Sequence, residues 1–524
     1  MSVNSVRNLL EIAGQTAPDK IALKHNSTVY TFAQLLTRVN QIAQYLNTLN
    51  LPKGSRIGIY SNKSSEQVIA ILAILSTEYV LVPITRLLKP EQVKHIIDDA
   101  DIGCLITDKS KIEAIKAIDF EGKVISYDTT EGSDVSFEEI TKFYTGDISS
   151  DLKGFENAVI TYSFSSSGNP KGIVIDHRAL IDGARIVSKY LNVRSDDVIS
   201  GLLSFNLDYG LNQIFTALYS KATLAIHKFV LSNDFFTHLI NDKITVLPLM
   251  PIHITQMFDD DPHRIPSPEH LKNLRTITSS GGNITALMIK NITTHFPDAA
   301  FYSMHGLTEA FRSAYLDPRQ IHIRPHSIGK AIPDVELYII NDEGEACKAR
   351  EVGELIHRGA GIYKGYWNAP EETEKRFKSI HILDKVLKPE GSLTNELVVA
   401  SGDYVYKDEE DYIYFVSRKD DMIKTQGFRV SPYEIENVVF SNIQDITECA
   451  VFSVPNDEIE EEIVMVYGAK QELARNEIIF ELKKHLPNYM IPEQIIYRKN
   501  MPFKSMYDRT IDKEELKLEL LKIL

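Results

Sequence analysis

The chain is poor in the residues that build extracellular scaffolds and metal clusters. Its 524 residues include three cysteines, Cys104, Cys347 and Cys449, and a single tryptophan. The thiols are too widely separated for metal-ligand spacing or a disulfide framework, which fits a reducing compartment. Long apolar runs are missing too. The most apolar early stretch, Val68 to Leu75, is broken by Ser76-Thr77-Glu78 and is too short to span a membrane. Met1 to Arg7 lacks the apolar region of a signal peptide. The expectation is a cytoplasmic protein with no membrane span. Positive charge is in deficit, with 57 Lys and Arg against 72 Asp and Glu for a net charge of −15. That balance argues against general nucleic-acid binding or an anionic membrane surface. Repeats, low-complexity tracts and a carrier-protein segment are also missing, so any carrier is expected to be a separate partner.

What is present is ordinary for a globular protein: 43% hydrophobic and 25% charged residues. A chain this long exceeds one hydrophobic core, so at least two domains are expected. Thr31-Phe32-Ala33-Gln34 is a capping-box pattern, followed by apolar residues at helical spacing. Beyond it strands and helices alternate: strand Ile57 to Tyr60, helix Glu66 to Leu75, strand Tyr79 to Val82 stopped by Pro83, helix Pro90 to Ile97, strand Cys104 to Ile106. Such alternation predicts βαβ units and a mostly parallel sheet. Past Asp421 the pattern changes to a small α+β unit: helix Pro432 to Val439, strand Ala450 to Phe452, an acidic loop Asp457 to Glu462 read as a solvated turn, strand Ile463 to Tyr467, helix Glu477 to Leu486 and strand Gln494 to Tyr497. The charged segment Arg418-Lys419-Asp420-Asp421 is the boundary candidate, dividing the chain into 1–419 and 420–524.

Between two apolar runs, Ala158 to Ile160 and Ile173 to Ile175, lies Tyr162-Ser163-Phe164-Ser165-Ser166-Ser167-Gly168-Asn169-Pro170-Lys171-Gly172. Small side chains let backbone N–H groups approach an anion, hydroxyls add donors, and Lys adds a point charge. Such a loop suits a polyphosphate; it also reads as a plain polar hairpin. It is not a Walker loop, which needs Gly-Lys followed by Ser or Thr and a helix.

Further along, short apolar runs end in polar turns. Thr276 to Ser279 runs into Ser280-Gly281-Gly282-Asn283, where paired glycines let a flat ring lie on backbone. Tyr302-Ser303-Met304-His305-Gly306-Leu307-Thr308-Glu309 ends in a hydroxyl able to hold a phosphate and a carboxylate able to hold Mg²⁺; Thr-Glu is also a good helix start. Asp208, in Phe205-Asn206-Leu207-Asp208-Tyr209-Gly210, sits among apolar neighbours, so burial demands a partner: backbone, or a ligand in a substrate pocket. His177 precedes the helix Arg178 to Tyr190 and reads as a cap or packing residue. Asp403 beside Gly402 suits paired ribose hydroxyls, and Arg418 adds a donor; each also reads as a surface turn.

Taken in this order, these segments resemble the adenylate-forming superfamily: acyl-CoA synthetases, firefly-luciferase-type enzymes and adenylation domains of peptide synthesis. The resemblance covers about Leu9 to Leu521 and leans toward bacterial AMP-forming acyl-CoA ligase-like proteins. It implies an α/β fold: a large N-terminal domain of mostly parallel sheets with a β-rich subdomain, and a small mobile α+β C-terminal domain. It implies attack of a carboxylate on ATP, giving an acyl-adenylate and pyrophosphate, then displacement of AMP by CoA or a carrier-protein phosphopantetheine. By the same resemblance Ser165, Ser166, Ser167, Gly168 and Lys171 embrace the phosphates. Gly281, Gly282, Asn283, His305, Gly306 and Leu307 lie around the adenine. Thr308 touches the α-phosphate, Glu309 holds Mg²⁺, Asp403 and Arg418 grip the ribose, and Asp420 is the hinge. Asp208 and Tyr209 belong to the acyl pocket. Asp208 falls near the position where amino-acid-activating relatives bind the α-amino group, which keeps an amino-acid substrate open beside a plain carboxylic acid.

Three departures stand out. Phe164-Ser165 replaces the family's leading Ser-Gly, and His305 replaces an aromatic. The third is the C-terminal Gly-Lys, whose Lys bridges carboxylate and α-phosphate. Alignment on Ile511-Asp512 puts Arg509-Thr510 there, alignment on Tyr507-Asp508-Arg509 puts Met506 there, and neither Lys504 nor Lys513 is in register. Loss of a cation acting in the transition state implies a weak first half-reaction, or, at the extreme, a nucleotide-binding scaffold without ligase activity.

Overall fold

The computed structural model describes residues 3–148, 151–163, 170–228, 232–259, 265–282, 284–387, 395–425, 428–456, 460–505 and 510–521. The predicted capping box opens the helix Phe32–Thr48: the Thr31 hydroxyl accepts the Gln34 N–H at 3.3 Å and Gln34 returns the bond at 2.9 Å. An eight-stranded sheet follows, centred on Arg56–Tyr60 with Val80–Ile84 and Ile102–Thr107 parallel on either side. Pro83 does not stop its strand. It sits within Val80–Ile84, where the flanking strand Asn157–Ser163 pairs through one position, Leu81 with Val159, so a missing N–H is tolerated. Asn157–Ser163 and Lys171–Asp176 form an antiparallel hairpin, and the serine-rich loop between them, residues 164–169, lies outside the described residues.

A second sheet carries the strands Val198–Gly201, Thr223–Ile226, Val246–Leu249, Thr276–Ser279 and Ala300–His305 in parallel. It continues without a break into antiparallel strands, Ala314–Leu316, Ser327–Ala331, Ile413–Arg418, Leu397–Lys407, Gly353–Gly359 and Val335–Ile340. The β-rich part is therefore an extension of the parallel sheet. The helix Ser65–Ile74 shows why one main core joins both sheets: it is apolar on nearly every face and buried along its length.

After the three-residue turn Lys419–Asp421 the chain builds its own five-stranded sheet and its own cores, around Ile423, Ile435 and Met465 and around Ala450 and Val464. The acidic stretch is not merely a solvated turn. Glu461 and Glu462 lie in the strand Glu460–Ala469, where the Glu461 carboxylate accepts the Ser453 hydroxyl at 2.9 Å and the Lys424 N–H at 2.5 Å. The helix predicted to reach Leu486 spans Arg475–Leu482.

His177 is the first residue of the helix His177–Tyr190, whose cap is Asp176. It packs, fully buried, with Nδ1 accepting the Val6 N–H at 3.4 Å. His253 and His357 are held alike. His253 Nδ1 accepts the Met250 N–H at 3.0 Å; His357 Nε2 donates to the Ala360 carbonyl at 3.0 Å, leaving Nδ1 to accept from the Ser313 hydroxyl. Each ring needs its Nδ1 lone pair and is neutral, and burial pushes each down to about 4 from 6.5. The unfolded chain then takes up these protons first as pH falls from 6.5 to 4, so stability drops across that window at about 1.4 kcal/mol per pH unit for each ring. Urea midpoints measured from pH 7 to pH 4 are expected to fall, with a shallower slope in His357→Gln.

Candidate active site

A cavity of about 570 Å³ opens where the parallel strands of the second sheet end. At one end stands Asp403, fully buried in the strand Leu397–Lys407 and paired across the sheet with Arg418. It is not a surface turn. Its Oδ2 lies 3.1 Å from His305 Nε2, and its Oδ1 lies 2.8 Å from Arg418 Nε without making a hydrogen bond. A buried carboxylate needs charged or hydrogen-bonding partners, and Arg418 and His305 supply them at the cavity wall. Gly402 is confined by its surroundings: φ is +69°, and a Cβ there would fall 1.7 Å from Arg376 Nη1.

The walls beside Asp403 are bare or aromatic. Gly281 has φ of +85°, and Gly281 and Gly282 expose backbone above Met250 and Pro251. Asn283 lies outside the described residues. His305 approaches the Phe415 ring at 6.2 Å, and Phe415 meets Tyr433 edge-on at 5.0 Å. Tyr433 belongs to the helix Pro432–Asn442, so the C-terminal unit itself lines the cavity.

Thr308 is exposed to this cleft, and Gly306 leaves the space that Arg312 Nη1 and the Phe311 carbonyl fill. Thr308-Glu309 starts no helix. Glu309 is buried, accepting the Tyr366 hydroxyl at 2.6 Å on Oε1, with Arg376 Nε 3.8 Å from the same oxygen. Burial, and then the Glu309 charge, raise the Tyr366 hydroxyl well above its ordinary range, so it stays a donor. Carboxylate oxygen of this kind is a suitable ligand for a hard cation. A His227, His238 and Asp242 trio has donor atoms within 4.8 Å of one another but does not line this cavity.

Lys171 leaves the end of its strand half-exposed, 3.2 Å from Glu372, which Lys375 also holds at 2.8 Å. Lys375 first, and then Lys171, keep the Glu372 carboxyl below its usual range. Ser165, Ser166, Ser167 and Gly168 fall outside the described residues. The backbone of Asp420 lies in the Lys419–Asp421 turn, anchored by Lys419 Nζ at 2.9 Å from Glu354. Thr510 opens the short strand Thr510–Ile511, exposed and away from the cavity lining. Lys513 is tied within the C-terminal unit, to Glu436 at 2.7 Å and the Val451 carbonyl at 2.9 Å.

Another part of the cavity wall is the start of the helix Asp208–Ser220, through Asp208 and Tyr209. Asp208 finds side-chain partners rather than backbone: it accepts the Tyr363 hydroxyl at 2.8 Å and lies 3.8 Å from Arg312 Nη1. Burial raises its carboxyl above the ordinary range, against the pull of Arg312 and Tyr363. Tyr209 bonds Thr278 at 2.6 Å, and the Arg312 guanidinium stacks 4.4 Å above the Tyr209 ring. Sequence reasoning gave no role to Arg312 or Tyr363. The available signal was an arginine inside Ala310-Phe311-Arg312, where an apolar neighbourhood predicts burial.

The family model described as "AMP-binding enzyme" matches residues 10–367. Tyrocidine synthase 1 of Brevibacillus parabrevis is 25% identical over 95% of this chain and 44% of its own length; gramicidin S synthase 1 of Brevibacillus brevis is 26% identical over 98% and 44%. The chain thus spans less than half the length of these relatives. Among solved structures, ATP-bound MatB from Rhodopseudomonas palustris superposes with a TM-score of 0.86 at 21% identity over 99% of both chains. The o-succinylbenzoate CoA synthetase MenE from Bacillus subtilis, in complex with the acyl-adenylate OSB-AMP, gives 0.82 at 20% identity over 97% of this chain and 98% of its own. These superpositions show a common α/β fold.

Proposed function

From the premise that this chain belongs to the AMP-binding enzyme family, we propose that it is an AMP-forming acid–thiol ligase. It joins a small carboxylic acid to the α-phosphate of ATP and passes the acyl group to CoA or to the phosphopantetheine of a separate carrier protein. The observation that carries this reading is the buried Asp403 carboxylate, held between Arg418 and His305 in the wall of a cavity that Gly281 and Gly282 also line. Asp403 accepts a ribose hydroxyl, Arg418 donates to the same sugar, and the base lies along Gly281 and Gly282 beside His305. Thr308 donates to the α-phosphate. The half-exposed Lys171–Glu372 pair is worth little in itself, so Lys171 is readily exchanged onto the outer phosphates, with Ser165 to Gly168 around them. Glu309 is the residue that would hold the Mg²⁺ of the reaction, whose chemistry is to neutralise phosphate charge.

The balance of atoms is simple. A carboxylate oxygen forms a bond to the α-phosphorus and pyrophosphate leaves; the thiolate then bonds the acyl carbon and AMP leaves with that oxygen. Asp420 is the hinge about which 420–524 turns against 1–419 between the two steps. Three buried free thiols suit a reducing, cytoplasmic setting, and among the described residues no helix is long and apolar enough to cross a membrane.

A second reading is an amino-acid-activating enzyme. It is favoured by Asp208, a carboxylate in the cavity wall able to receive an α-ammonium group. The test is acid-dependent pyrophosphate release from ATP across fatty, aryl and amino acids. Release with one class supports the ligase and selects between the readings. AMP binding without release, and without thioester from a supplied acyl-adenylate, would instead mark a nucleotide-binding scaffold.

A further inference from the structure

The acyl end of the cavity is built around a buried cation that the protein leaves largely unsatisfied. Arg312 is 5% exposed, lines the cavity, and stacks on Tyr209 at 4.4 Å and Phe311 at 5.2 Å. A guanidinium offers five N–H donors. Among the described residues its one hydrogen bond is a long one, 3.5 Å from Nη1 to the Phe311 carbonyl, and its buried Nε has no partner. Asp208 lies at 3.8 Å, close enough to offset charge but too far to accept a hydrogen bond, and it is already bonded to Tyr363. Leaving donors buried and unmade is costly, and more so for a charged group.

The position of Arg312 decides what would satisfy it. With Tyr209 and Met304, it borders both the main cavity and a small pocket lined by Tyr190, Asn212 and Gln213. Arg312 shares the cavity wall with Thr308, so an acid adenylated beside Thr308 shares its cavity with this guanidinium. A plain hydrocarbon tail there would bury the guanidinium against carbon and leave its donors unmade. We propose that Arg312 is a specificity-determining residue and that the acid substrate carries a second hydrogen-bond acceptor, a carbonyl or carboxylate, which Arg312 receives. This rests on the ligase reading and names its substrate class.

The test separates the two. Calorimetry with the full chain compares paired non-reactive acyl-sulfamoyl adenosines, the 4-oxopentanoyl and glutaryl analogues against the pentanoyl analogue, with AMP titrated alongside. At least one acceptor-bearing analogue is expected to bind about tenfold or more tightly than the pentanoyl analogue. In Arg312→Met, checked for an intact fold by its circular dichroism and melting temperature, that ratio is expected to collapse toward one, with Arg312→Lys partly restoring it. Equal binding of the analogues, or a preference that survives in Arg312→Met, overturns the inference while leaving the ligase reading standing. Failure of the wild type to bind AMP and every analogue overturns both.

Discussion

Glu309→Gln is expected to lower acid-dependent pyrophosphate release by about 10²–10³-fold, the size of effect seen when one group that stabilises transition-state charge is removed. The substitution keeps the shape of the side chain and an oxygen that can still accept the Tyr366 hydroxyl. What it removes is the negative charge that faces Arg376 at 3.8 Å and suits a hard cation. The loss should fall on the first half-reaction, where charge builds on phosphate. Thioester formation from a supplied acyl-adenylate, which releases no pyrophosphate, should fall much less. Equal loss in both half-reactions would mean that Glu309 acts by holding Tyr366 and Arg376 in place. Stopped-flow or coupled assays of each half-reaction, run beside a thermal melt, distinguish these cases.

Thr510→Lys is expected to raise the same first half-reaction by about tenfold or more, because it returns a cation to the position where the resemblance calls for one. The structure sharpens this expectation by removing a rival. Lys513 is bonded to Glu436 and the Val451 carbonyl, so releasing it toward a substrate would break two contacts inside the C-terminal unit. Thr510 is exposed at the start of a two-stranded hairpin with Phe503–Ser505, a position that accepts a long charged side chain without displacing core. Thioester formation from a supplied acyl-adenylate should be indifferent to the change. An unchanged rate of pyrophosphate release in Thr510→Lys would show that the vacancy does not limit adenylation.

Much of the architecture was legible because local chemistry and tertiary packing agree. The capping box at Thr31 appears as read, and so does the βαβ alternation. Pro83 misled because a strand with a thinly paired flank tolerates a missing donor. Glu461 misled because its solvated character ends once Ser453 and the Lys424 backbone reach it. Gly281, Thr308 and Glu309 were visible as positions where apolar runs give way to polar turns, whereas Asp403, read also as a surface turn, lies inside the strand Leu397–Lys407. Their partnerships were not visible. The match of Asp403 with Arg418 depends on a sheet register interrupted between Tyr404 and Val405, which no local pattern encodes. Tyr363 reaches Asp208, and Glu372 reaches Lys171, across separations of 155 and 201 residues. Arg312 was visible only as a charge among apolar neighbours; that it faces a cavity is a property of the fold.

The proposed ligase requires that the carboxylate itself attack the α-phosphate. An acid labelled with ¹⁸O in its carboxylate, turned over with ATP and thiol, reports this through mass analysis of the products. One ¹⁸O is expected in each AMP released and none in the pyrophosphate. Label in inorganic phosphate with ADP as co-product, or unlabelled AMP accompanying thioester, would contradict direct attack by the carboxylate.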